Sequence, residues 1–206
     1  MTGGRKLKHF KGKRLRIYWI YAVFAFATLW APGCAGPLFK VKPVVELPPF
    51  AGNVKTAGAG GVTLRVAPPL SDEESQELFD ANLPLSGVVA LRMELAYSGD
   101  APVELKKVRF RMHDDQGREL KLLSPRQTIS RLMKANDITL YNPHSRKQTE
   151  ADFEKYALDL KTPLAVSDRR QGFLFFETPK HEPLTNPKGL VLKLDRLQQP
   201  IEVVLD

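Results

Sequence analysis

The residues best equipped for chemistry are few. Cys34 is the only thiol in 206 residues, which excludes an internal disulfide, a four-thiol zinc site and a Cys-x-x-Cys redox pair. His113-Asp114-Asp115 is the one place where an imidazole stands beside carboxylates; His144 and His181 lie far off in sequence, and His9 belongs to the basic N-terminal stretch. A divalent cation would need the His113, Asp114 and Asp115 side chains to converge. Neighbours on a strand point to opposite sides, so a solvated hairpin tip is the simpler expectation. Asp72-Glu73-Glu74 lacks the spacing of a calcium loop and suits the positive end of a helix. No glycine-rich phosphate loop, nucleophile elbow or His-Glu-x-x-His is present. A hydrolase of wall or sugar substrates would need two convergent carboxylates or a Ser/His pair, and no spacing here offers one. The expectation is a protein with no catalytic residue, no metal site and no cofactor.

Binding residues are easier to nominate. Lys107, Arg109 and Arg111 alternate on one predicted strand, beside Lys106. They form a cationic stripe suited to anionic headgroups or sugar phosphates. The competing reading is a solvated face that keeps the strand from pairing with other chains. Arg169-Arg170, ahead of a buried strand, and Tyr141, Asn142 and His144, on a predicted loop, are weaker candidates of the same kind. Net charge adds nothing to them. The chain carries +8, but Arg5, Lys6, Lys8, Lys11, Lys13, Arg14 and Arg16 supply +7 of it with no acid among them. From Cys34 onward 24 basic residues face 23 acidic ones. The basic balance belongs to the leader, and it gives no reason to expect a nucleic-acid partner.

The leader continues with an uncharged stretch from Ile17 to Ala31. A basic start, a short apolar run and small residues is the layout of an export signal. Fifteen helical residues span about 22 Å, short of a bilayer core of about 30 Å. The run ends in Ala31-Pro32-Gly33-Cys34, which resembles the lipobox of bacterial lipoproteins. Gly33 fits the small-residue slot before the cysteine, Ala31 stands where that family usually has leucine, and Pro32 is unusual there. The resemblance implies a signal peptide over 1–33 and a membrane attachment through diacylglyceryl and N-acyl chains on Cys34. Two or more acyl chains hold a protein firmly on a bilayer. Ala35 resembles the default for outer-membrane sorting in a cell with two membranes; with one membrane the anchor would sit on its outer face. The alternative is an uncleaved single-pass anchor, since the uncharged run extends to Phe39, although Pro32, Gly33, Gly36 and Pro37 would break that helix near its outer end.

Residues 34–61 are rich in proline and glycine, with one acid, Glu46. They read as a tether that stands the body off the membrane, with Val41–Leu47 able to dock as an edge strand. The body is then 62–206. Alternation predicts strands over Val62–Ala67, Val88–Tyr97, Val103–His113, Arg118–Leu123, 172–179, Leu190–Leu194 and Ile201–Leu205. Ser71 with Glu74, and Ser124 with Pro125 and Gln127, open two short helices. Tyr141–Lys147 reads as a polar loop and Thr149–Leu160 as a third helix, with Phe153 and Tyr156 inward.

Strands that alternate, with helices only in the connections, point to an all-β antiparallel sandwich. Gly172-Phe-Leu-Phe-Phe176, Gly189-Leu-Val-Leu192 and Ile201-Glu-Val-Val-Leu205 resemble the last three strands of Ig-like domains in bacterial lipoproteins, and Leu83–Leu91 and the turn at Asp115-Gln116-Gly117 resemble them too. That resemblance implies an Ig-like β-sandwich with a helical insert near 124–161, acting by binding or structural support in the cell envelope, with an envelope protein as partner. It says nothing about the ligand.

Overall fold

The computed structural model describes residues 36–50, 52–184 and 187–205. Eight strands appear among them: β1 (Lys55–Ala59), β2 (Val62–Val66), β3 (Val88–Tyr97), β4 (Arg109–His113), β5 (Glu119–Leu123), β6 (Arg169–Glu177), β7 (Leu190–Asp195) and β8 (Ile201–Leu205). Three α-helices lie in the connections: α1 (Asp72–Phe79), α2 (Pro125–Ala135) and α3 (Pro143–Tyr156). The strands form one antiparallel sheet in the order β1-β2-β3-β6-β5-β4-β7-β8. Its end strands, β1 and β8, lie against each other, so the sheet curls almost into a barrel. The expected all-β class holds. The layers are not two separate sheets, because β5 joins them. Met112 and His113 of β4 pair with Leu120 and Glu119, whereas Lys121–Leu123 pair with β6.

The side-chain period of two explains the interior. Val62, Leu64 and Val66 of β2 stand opposite Tyr97, Leu95 and Met93 of β3. Val89 and Leu91 stand opposite Phe176 and Leu174 of β6. With Met112, Leu120, Leu192 and Val203 they fill the enclosed core. The other face of the β3–β6 pair is apolar at one end and carries Arg92, Glu94 and Gln171 at the other. Val88, Ala90, Phe173 and Phe175 look outward into a second core, covered by Phe79, Ile129, Leu132, Phe153 and Tyr156 of the helices. Phe79 is its hub, with ring centroids 4.8 Å from Phe153, 5.1 Å from Tyr156 and 5.8 Å from both Phe173 and Phe175. Ser71 and Ser124 each form the capping box expected of them.

Three expectations need correction. The compact unit begins at Pro37, so residues 37–61, expected within a tether, belong to it. Phe39 is buried in the outer core, and β1 completes the sheet beside β2. Residues 38–50 form a strap along the helical face. The Leu38 amide donates to Thr149 Oγ1 at 3.0 Å, the Lys42 amide to the Leu78 carbonyl at 2.9 Å, and Tyr156 Oη to the Lys42 carbonyl at 2.5 Å. Farther along, Arg92 donates to the Pro48 carbonyl at 2.8 Å, and Arg65 and Arg92 lie over the Phe50 ring. Proline and glycine content hides this docking, because one phenylalanine and a row of backbone hydrogen bonds suffice for it. The strand expected over Val103–His113 starts only at Arg109; Leu105–Lys107 make a helical turn that buries Leu105. The loop expected at Tyr141–Lys147 is the start of α3, capped by Asn142 with Pro143 in the first turn. Its buried stripe begins with Ser145 and Thr149, which are polar and leave no apolar period to read.

Removing the hub ring tests the outer core. Phe79→Ala should cost about 3–5 kcal/mol, read as a lowered midpoint in urea unfolding with an unchanged slope. An interior made only of the enclosed core would lose less than about 1 kcal/mol.

Candidate functional site

The nominated chemistry does not converge. Cys34, Ala31, Pro32 and Gly33, and the signal helix, lie outside the described residues. His113 sits in β4 opposite Glu119 and Val191, while Asp114 turns away to tie the hairpin. Asp114 Oδ1 accepts from the amides of Gln116 at 3.0 Å and Arg118 at 2.8 Å, and Oδ2 accepts from Arg118 Nε at 2.7 Å. Burial pushes the Asp114 carboxyl up, but the amide and guanidinium of Arg118 and the amide of Gln116 outweigh it and hold it below the usual carboxylate range. Among the described residues no group of three or more His, Cys, Asp or Glu side chains could hold a metal ion.

The cationic stripe is largely neutralised. Arg111 Nε donates to Asp195 Oδ2 at 2.6 Å, and Arg109 faces Glu119 at 3.7 Å. Lys107 leaves the stripe altogether, since it lies in the helical turn. Arg170 is a local brace, donating to the carbonyls of Asp159, Thr162 and Pro163 and to Asp168. Arg169 is exposed, 3.9 Å from Glu94. Asn142 and His144 are brought together as a helix start, the Asn142 side chain accepting from the His144 amide at 2.8 Å.

An apolar cavity forms among residues that were not nominated. A cavity of about 450 Å³ opens at the edge of β6, where β5 departs for α2 and the chain returns after α3. Phe173 and Leu174 form its floor; Leu122 and Leu123 wall one side, Leu158 and Leu160 the other. Cavities of about 300–1,000 Å³ with apolar linings are the usual size for small ligands. The return segment comes close because β6 carries Gly172. A Cβ there would lie 2.5 Å from the Leu158 backbone, and the Leu158 amide donates to the Phe173 carbonyl at 2.9 Å. A glycine inside a strand is the sequence signal for such an approach.

The rim's polar groups are already engaged. Ser124 Oγ accepts from the Gln127 amide, Lys161 Nζ reaches Glu154 at 2.9 Å, and Asp159 Oδ1 accepts from the Lys161 and Thr162 amides. Hydrogen bonds from Thr162 and the Lys161 amide hold the Asp159 carboxyl below its usual range. Such a cavity can receive an apolar group, and its lining sets up no nucleophile with a base beside it. No family model matches the chain, and no curated protein or solved structure is similar to it.

The hairpin gives a pH test. A carboxyl lowered on folding stabilises fully above the ordinary carboxylate range, and that contribution is lost as pH falls through the lowered folded value. Asp114→Asn should cost about 1 kcal/mol at neutral pH, a gap that closes only in strong acid. Thermal melts of the two proteins across that range check it, and equal melts at neutral pH would show that the carboxylate contributes nothing.

Proposed function

We propose that this chain is an exported lipoprotein whose folded body is a binding or structural module of the cell envelope, held to a membrane by acyl chains on Cys34. The observation that carries this reading is the placing of Cys34. The only thiol in the chain stands at the end of the one signal-like apolar run and three residues before Pro37, where the folded body begins. A thiol in that position suits acylation, and its sulfur is the nucleophile such chemistry needs. The uncleaved anchor is the less favoured reading. The uncharged run to Phe39 would have to include Leu38 and Phe39, and both pack against the outer core.

The strand order supports an Ig-like reading of the body. In Ig domains of the constant type one sheet runs A-B-E-D and the other C-F-G. Taking β2 as A, the order β2-β3-β6-β5 and then β4-β7-β8 follows that pattern, with β1 as an added edge and α2 and α3 inserted between D and E. Such modules act through their surfaces, and the apolar cavity beside β6 is a surface feature of a size that suits an apolar ligand. An envelope protein or an apolar small molecule is the class of partner that fits it.

Labelling cells with radioactive palmitate tests the anchor. Incorporation is expected in the wild-type chain and should fall to background in Cys34→Ala, which should also keep its leader and migrate more slowly. Equal labelling of both, or none of either, would contradict lipidation at Cys34.

A further inference from the structure

We infer that the tip between α2 and α3, Leu140 with Tyr141, rests in the headgroup region of the bilayer that carries the anchor. This deepens the anchoring reading and rests on it. Leu140 is 93% exposed, the most exposed large apolar side chain among the described residues, and Tyr141 beside it is 39% exposed. The tip is held firmly from both helices. Arg146 Nη1 donates to Tyr141 Oη at 3.2 Å, and its guanidinium lies 5.6 Å from the ring centroid. The same guanidinium reaches Ser130 Oγ on α2 at 2.8 Å and Glu150 at 2.8 Å. An apolar leucine on a braced support, next to a tyrosine, has the chemistry of an interfacial anchor, because tyrosine favours the headgroup level.

Charge and chain path point to the same partner. Lys134 and Lys147 are exposed on either side of the tip, with one acid, Asp137, between them; Arg146 is neutralised by Glu150. Each such cation near an anionic leaflet contributes attraction. The strap runs alongside α3 in the same direction, from Leu38 at Thr149 to Lys42 at Tyr156. Leu38 therefore lies nearer the α3 N-terminus, the side of the tip, than Lys42 does. Thr149 lies about 10 Å along the helix from Asn142. Cys34 is four residues before Leu38, a reach of at most about 14 Å. With an acylated Cys34 tethered within that reach of Leu38, the Leu140 side chain would enter the same bilayer from the body.

Tryptophan fluorescence reads this directly. Both native tryptophans, Trp19 and Trp30, precede Cys34 and leave with the leader. Tyr141→Trp would then carry the one indole of the mature protein. The processed, acylated protein is reconstituted into phosphatidylcholine vesicles containing a quarter phosphatidylglycerol, with and without brominated acyl chains. The indole at 141 should shift to the blue and lose about half or more of its emission to bromine. Adding Leu140→Asp should reduce that quenching several-fold, and Val204→Trp, on the outer face of β8, should emit as in water. An unquenched indole at 141 in protein whose mass shows an acylated Cys34 overturns the proposal and leaves the anchoring reading standing. A mass that retains Met1 overturns the anchoring reading, and this proposal with it.

Discussion

Around Val88–Leu91 and Phe173–Phe176 the β3–β6 pair is apolar on both faces, and that double requirement shapes the molecule. A sheet with one greasy face can curl and bury it. A strand pair with two needs a second cover. The inner face is buried when the sheet closes on itself through β5, and the outer face takes α1, α2, α3 and the strap. Phe79 stands at the centre of that cover, and Phe39 seals one side of it. Because the cover includes residues 38–50, the point where the chain enters the body is fixed by packing.

Part of this was legible in the sequence. The alternation of Val89, Leu91, Met93, Leu95 and Tyr97 marks one strand face correctly, and Ser71 and Ser124 mark helix starts through local hydrogen bonding alone. Gly172-Phe173-Leu174-Phe175-Phe176 reads directly as a strand buried on both faces. What the pattern cannot carry is a long-range contact made by few residues. Phe39 is a single aromatic in a proline-rich stretch, and the α3 start buries Ser145 and Thr149, so neither leaves an apolar period. The cavity escapes for the same reason, since its lining includes Leu122 and Leu158, which are distant in sequence, and Leu158 comes to β6 where Gly172 leaves room for its backbone.

The nominated sites fared according to their local partners. Arg109 and Arg111 look like a free cationic stripe until Glu119 and Asp195 arrive from neighbouring strands. Asp114 looks like a ligand until Arg118 turns back on it four residues later. Charged residues on short antiparallel strands find partners across the ladder, so runs of one sign in sequence overstate the charge available to a ligand. The Leu140–Tyr141 tip is the reverse case, an apolar pair that the fold leaves in the open while bracing it.

The second core depends on the strap being part of the body, since Phe39 is buried in it and Leu38, Val41 and Leu47 pack against it. Hydrogen exchange at the amides of Leu38 and Lys42 measures it directly. Both donate to partners in the helical layer, so both should exchange slowly, on the timescale of the β3 amides. Exchange at the rate of an unstructured chain would mean that residues 38–50 are a free tether, and would contradict the account.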